Sequence, residues 1–236
     1  PDSILEIDEK NYLSFSPRLI RFGSSGLAGV WAEENTRESI YNAFRRKETF
    51  GTSGPRIKVR FFAGYNFENS NLNDQDLIQE AYSKNIPMGG DIIQEKGKNP
   101  RFLVWAISDP LGAPLQRVQI IKGWLADGEQ REKVFDVACS DGQSVNPLNH
   151  RCPDNGAKVN LDDCSISREK GNAEIKTFWQ DPEFSNDQEA FYYARVLENP
   201  TCRWSTWDAV RAEEKPRSDI PVTIQERAWS SPIWIK

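Results

Sequence analysis

Two short stretches hold most of the side chains that could do chemistry. The first, GVWAEEN at Gly29 to Asn35, sets Glu33 and Glu34 side by side, flanked by Trp31 and Asn35. A carboxylate there could ligate a metal or serve as a general base. Adjacent residues of an extended loop point to opposite sides, so at most one of the two can face a given site. The structural alternative is that both favour the amino end of the helix that follows, through its dipole. The second stretch, TSGPR at Thr52 to Arg56, offers the hydroxyls of Thr52 and Ser53, turn N–H groups and the Arg56 guanidinium to an oxyanion such as a phosphate or sulfate ester. Thr and Ser before Gly-Pro are also ordinary turn residues, and Arg56 can be a solvated strand start.

Neither stretch has an obvious metal partner. The chain contains one histidine, His150, and no Cys-x-x-Cys or His-x-His spacing, so a zinc site is not expected. The SDG and PDNG turns lack the regular spacing of an EF-hand loop. Gly89, Gly90 and Asp91 read as a turn into a strand, because no strand-glycine-helix order surrounds them. Trp204 and Trp207, three apart in CRWSTWDA, could form a stacking platform for a sugar, although tryptophans in a β domain more often serve the core or its edges.

Composition narrows the classes. With 236 residues and a net charge of -5, acidic and basic residues intermixed, the chain lacks the basic stripe a nucleic acid would need. No run approaches the length of a membrane-spanning helix. Pro1 is neither an initiator methionine nor the start of an apolar leader, which suggests a start partway through something longer. Cys139, Cys152, Cys164 and Cys202 lie in polar, turn-rich surroundings, which points to disulfides and an oxidising, periplasmic or secreted, location. Three pairings are possible. Cys139 with Cys152 and Cys164 with Cys202 is favoured because the first closes a short local loop.

These side chains must be positioned by a mainly β scaffold. The first twenty residues show no sustained period and read as a linker or extended arm. Asn35 and Glu38 fit a capping box, and Ile40, Tyr41, Phe44 and the stem of Lys47 share a helical face. A second, shorter helical pattern covers Asp74 to Ser83. Elsewhere RIKVRFFA, RFLVWAIS, RVQIIKGWL, EKVFDVA, EIKTFW, EAFYYARVLE and VTIQERAWSSPIWI read as strands separated by Pro, Gly, Asn and Asp. That order predicts an antiparallel β-sandwich, with Phe61, Trp105, Trp124, Tyr193 and Trp229 in its core or rim.

The long stretch GLAGVWAEENTRESIYNAFRRKETFGTSGPRIKVRFF, with MGGD, RVQIIKGW, AFYYARVLENPTCRWSTWDA and IQERAWSSPIW, resembles the carboxyl-terminal part of the Domain of Unknown Function 3604 family, over nearly all residues from Gly26 to Trp234. That family is similar to PHP-type (polymerase and histidinol phosphatase) metallohydrolases, whose distorted β/α barrel holds metals through His, Asp and Glu. The resemblance implies that residues 1–51 are a linker and the last barrel loop-helix, and that 52–236 are a carboxyl-terminal β-sandwich. It also implies a catalytic centre, with its divalent metal ions, in an amino-terminal barrel portion that is this chain's partner. Family members carry His-x-His and Asp-x-His motifs that this sequence lacks, so no catalytic residue, metal ligand or cofactor is expected within it. Trp31, Glu33 and Asn35, with Thr52, Ser53 and Arg56, then remain as a pocket wall or oxyanion contact. Two further readings stand beside this one: an autonomous glycan- or protein-binding sandwich, and a purely structural module that shields the barrel or mediates oligomerisation.

Overall fold

The structure, a computed structural model, describes residues 4–13, 20–67 and 71–236. Where apolar and polar side chains alternate, the chain forms antiparallel sheet. β5 (Lys58–Gly64) pairs with β8 (Arg101–Ile107), β8 pairs with β11 (Glu174–Gln180), and the two-residue β6 (Ile86–Pro87) extends the free side of β5. Val59, Phe61, Phe102, Val104 and Ile175 leave one face of this four-stranded sheet and are buried. Phe62 and Leu103 leave the other face, where α2 (Leu77–Lys84) covers them with Leu77 and Ala81.

The second sheet has eight strands and is built around β12 (Ala190–Glu198). β9 (Leu115–Ala126) runs along one side of β12, followed by β10 (Glu129–Cys139). The other side of β12 is shared by β15 (Arg227–Ser230) and β16 (Ile233–Ile235). β4 (Thr49–Thr52) and β3 (Leu27–Val30) continue from β15. β7 (Asp91–Ile92) joins β16 in parallel, an exception to the antiparallel pattern. One face of this sheet sends Val118, Ile120, Tyr192, Ala194, Val196 and Ala228 into the same apolar core as the smaller sheet. Two antiparallel sheets over one core are the layering of a sandwich.

Inside that core lies one polar knot. Lys122 and Asp181, 3% and 0% exposed, are joined Nζ to Oδ2 at 2.7 Å. The Tyr192 hydroxyl donates to the same oxygen at 2.7 Å, Glu183 N–H donates to Oδ1 at 2.8 Å, and Lys122 also donates to the Glu183 carbonyl. Burial, then the Asp181 charge, holds the Tyr192 phenol well above its ordinary value. A buried pair is tolerated when its remaining hydrogen-bonding groups are satisfied, as they are here.

The disulfides pair Cys139 with Cys152 and Cys164 with Cys202, each with Cα atoms 5.6 Å apart. The second ties β13 (Thr201–Cys202), just before α3 (Trp204–Arg211), to the 160s loop; β13 also pairs with β14 (Thr223–Ile224). Among the described residues no helix is long and apolar enough to cross a membrane.

Two details depart from the sequence expectations. Of the first twenty residues, those described include a hairpin, β1 (Ile4–Ile7) with β2 (Lys10–Leu13), tethered near α3 by Lys10 with Glu214 and Asp8 with Ser218; residues 1–3 and 14–19 lie outside the described residues. The helix α1 (Arg37–Arg45) is capped by Thr36, not Asn35: Thr36 is extended, and its hydroxyl accepts from Ser39 N–H at 3.2 Å. Of the residues expected in the core or its rim, Phe61 is fully buried and Trp105, Trp124, Tyr193 and Trp229 are half-buried; on β12 the fully buried position is taken by Tyr192.

Candidate functional site

β3 and β4 run antiparallel, with Leu27 opposite Thr52 and Val30 opposite Thr49. GVWAEEN leaves one end of this pair and TSGPR leaves the other. The two candidate groups are therefore separated by the length of four strand residues, roughly 10 Å. The structure does not bring them into one pocket.

At the TSGPR end, Ser53 clasps β15. Its hydroxyl donates to Glu226 and accepts from Arg227 N–H at 2.8 Å, while Ser53 N–H donates to the Arg227 carbonyl at 2.9 Å. Gly54 N–H donates to Thr52 Oγ1, and Arg56 N–H donates to Asp109 Oδ2 at 2.7 Å. Hydroxyl and N–H groups that could meet an oxyanion thus already have partners; the exposed Arg56 guanidinium is what the turn presents outward. Burial alone would raise the Asp109 carboxyl, but the N–H groups of Arg56 and Leu111 and the Arg56 charge outweigh it and hold Asp109 below its ordinary value.

Next to Asp109 lies a residue that sequence patterning did not mark. Glu198, 1% exposed at the end of β12, accepts from Ala113 N–H through Oε2 at 3.3 Å, and Oε1 has no hydrogen-bond partner. Burial above all pushes its carboxyl up to about 8; the charges of Asp109 and Glu226 add to this and the Ala113 N–H opposes it. It is a carboxylic acid that stays protonated near neutral pH, enclosed in the protein. Its signal was faint in the sequence: a Glu closing a strand that is apolar and aromatic apart from Arg195.

At the GVWAEEN end, Trp31 is held from three sides. Its indole N–H donates to the Val59 carbonyl at 2.8 Å, its ring packs on Phe50, and the Arg60 guanidinium lies 3.5 Å above it. Arg60 also donates to the Tyr82 hydroxyl at 2.6 Å, Tyr82 donates to Glu48, and Arg46 completes the chain at 3.3 Å from Glu48. Burial, then the bond to the Glu48 carboxylate, pushes Tyr82 up to about 12. Glu33 and Asn35 are exposed outside this network, and Glu34 N–H is taken by Ser39.

The remaining candidates are placed as follows. Trp204 and Trp207 occupy successive turns of α3, each 36% exposed, and Trp204 donates to the Phe22 carbonyl. In the SDG turn, the Asp141 carboxylate is already bound by Ser140, Asn155 and Gly171. The His150 ring lies edge-on to Phe135 at 5.1 Å. Among the described residues, no three His, Cys, Asp or Glu side chains are grouped to hold a metal ion. The donor set does not fit the His-rich centre that the resemblance implies for the family.

Residues 4–236 match the family described as Protein of unknown function (DUF3604), and the chain belongs to it. No curated protein and no solved structure matches the chain.

Proposed function

From membership of the DUF3604 family, we propose that this chain is the non-catalytic carboxyl-terminal portion of a PHP-like, metal-dependent hydrolase acting on a phosphoester or related ester. Residues 52–236, extended by β3 and β4 at the edge of the larger sheet, are its sandwich scaffold, and α1 between those two strands is the last loop-helix of the barrel. The partner is the amino-terminal barrel portion of the same protein, which carries the divalent metal ions; this chain contributes a wall through Trp31, Glu33 and Asn35, with Arg56 at the far end of β3 and β4 outside it. The two disulfides favour a periplasmic or secreted setting.

One observation carries the docking: α1 turns Tyr41 and Phe44 outward while Ile40 is half-buried. Tyr41 is 60% exposed and Phe44 50%, and of the whole helix only Ala43 is buried. An apolar face of this kind on an otherwise charged helix is the mark of a contact surface.

The test adds a family barrel carrying the His-x-His and Asp-x-His motifs to the purified chain and measures complex mass by light scattering. A one-to-one complex is expected, lost in the Tyr41→Glu/Phe44→Glu variant while its melting temperature holds. Absence of a complex, or one indifferent to both substitutions, refutes the docking. Metal-dependent turnover of p-nitrophenyl phosphate by the isolated chain refutes its non-catalytic role.

A further inference from the structure

At the Ala190 end of β12, a glycine makes room for a row of aromatic rings, Phe191 tilted 49° to Trp234, on the face of the large sheet that points away from the core. Gly123 of β9 pairs with Phe191 of β12. A Cβ at Gly123 would fall 2.3 Å from Phe191 Cζ and 2.5 Å from Cε1, so the ring lies down across the bare backbone and turns one face outward. Trp234 pairs with Phe191 from the other side, ring centroids 5.0 Å apart. Tyr193, two residues along, continues the row at 6.5 Å with its ring 14° from parallel to that of Phe191. None of these rings belongs to the core between the sheets.

Phe191 and Trp234 line a groove of about 1060 Å³, closed on its far side by the β9–β10 hairpin, where Leu125 is 66% exposed. That volume is at the upper end for ligand sites. Outward-facing aromatic rings suit a pyranose, whose axial C–H groups carry partial positive charge and rest on the negative face of a ring. The groove's charges choose among sugars. Asp127, Glu132, Asp187 and Glu189 line it against Arg131 and Lys236, and Lys236 is already bound to Asp91 at 2.7 Å. A surplus of carboxylate repels uronates and sulfate esters, whereas the hydroxyls of a neutral sugar donate to carboxylates.

We propose that the Phe191–Trp234 groove binds a neutral polysaccharide chain, its sugar faces stacked along Trp234, Phe191 and Tyr193 and its hydroxyls held by the carboxylates of the rim. This surface is distinct from α1, so its test does not bear on the docking of a barrel.

The experiment is affinity electrophoresis of the full chain in gels containing β-glucan, xylan, mannan or alginate. Acrylamide quenching of tryptophan fluorescence is read alongside, with oligosaccharides of the retarding polymer. Retardation by at least one neutral polymer and none by alginate is expected. Phe191→Ala and Trp234→Ala should each weaken it about tenfold. Gly123→Val keeps both rings but lifts Phe191 off the sheet, and should weaken binding as well. Trp207→Ala, on α3, should leave it unchanged. No retardation by any neutral polymer overturns the proposal, as does preference for alginate or equal retardation of the Phe191→Ala/Trp234→Ala variant. Should that variant fail to fold, unaltered quenching of the parent chain in the presence of the oligosaccharides overturns it equally.

Discussion

Glu198 rests its carboxyl against the bare Cα of Gly112: a methyl group there would sit 2.8 Å from Oε1 and 3.2 Å from Oε2. Gly112→Ala must therefore move a buried carboxyl that has little room to move. The expected cost is about 1–3 kcal/mol in urea unfolding. A stability equal to that of the parent would mean the 109–113 turn yields freely.

The same carboxyl makes stability depend on pH. In the unfolded chain Glu198 titrates at its ordinary 4.5, and in the fold at about 8. Below 4.5 both states are protonated and its contribution is fully present. As pH rises from 4.5 to 8 the unfolded state loses the proton first, so stability falls, and the loss is complete above about 8. Glu198→Gln should remove this slope, gaining on the order of 3–5 kcal/mol relative to the parent at pH 9 and little at pH 4. Urea titrations at both pH values measure it; parallel curves for the two proteins would contradict the assignment.

Asp181 holds both Lys122 and Tyr192 in the core. Asp181→Asn strands a buried ammonium and should destabilise by about 3–5 kcal/mol, while Lys122→Met with Asp181→Leu together should recover part of that loss, the Tyr192 hydroxyl and Glu183 N–H being left without their acceptor. Thermal unfolding of the single and double variants decides. Recovery is the informative half, because cavity effects alone would make the double variant worse.

Denatured, unreduced protein should yield no free thiol, and four after reduction. Cys139→Ser/Cys152→Ser should cost about 3 kcal/mol and Cys164→Ser/Cys202→Ser about 4, following the separations of 13 and 38 residues. The reverse order would point to native contacts, rather than loop closure, as the source of stabilisation.

What the sequence revealed was local. The alternation that opens KVRFFAG, the unbroken apolar run of RFLVWAI and the helical pattern near Leu77 are local signals, so strands and helix were legible where they lie. The disulfide pairing followed from loop length. Hidden were features that depend on distant neighbours. β3 and β4 are four residues each and become strands only because β15 offers an edge. The face of β12 that meets the core is decided by the opposite sheet, so Tyr192 and Tyr193 could not be told apart by type. Thr52, Ser53 and Arg56 stood out as candidates for chemistry, yet Asp109, Glu198 and Glu226, which surround them, come from three remote segments. Phe191 reads as one more aromatic until Gly123 is seen beneath it.

The parallel pairing of β16 with β7 carries a consequence for biosynthesis. All strands of the four-stranded sheet have been made once residue 180 leaves the ribosome, whereas the larger sheet needs Ile233–Ile235 to join Asp91–Ile92 to β12. At roughly 5–20 residues per second, the nascent chain spends several seconds with one layer assembled and the other still lacking its β15 and β16 edge. That interval is when a chaperone or an aggregating neighbour would meet it, and it lasts until Ile233–Ile235 have been made.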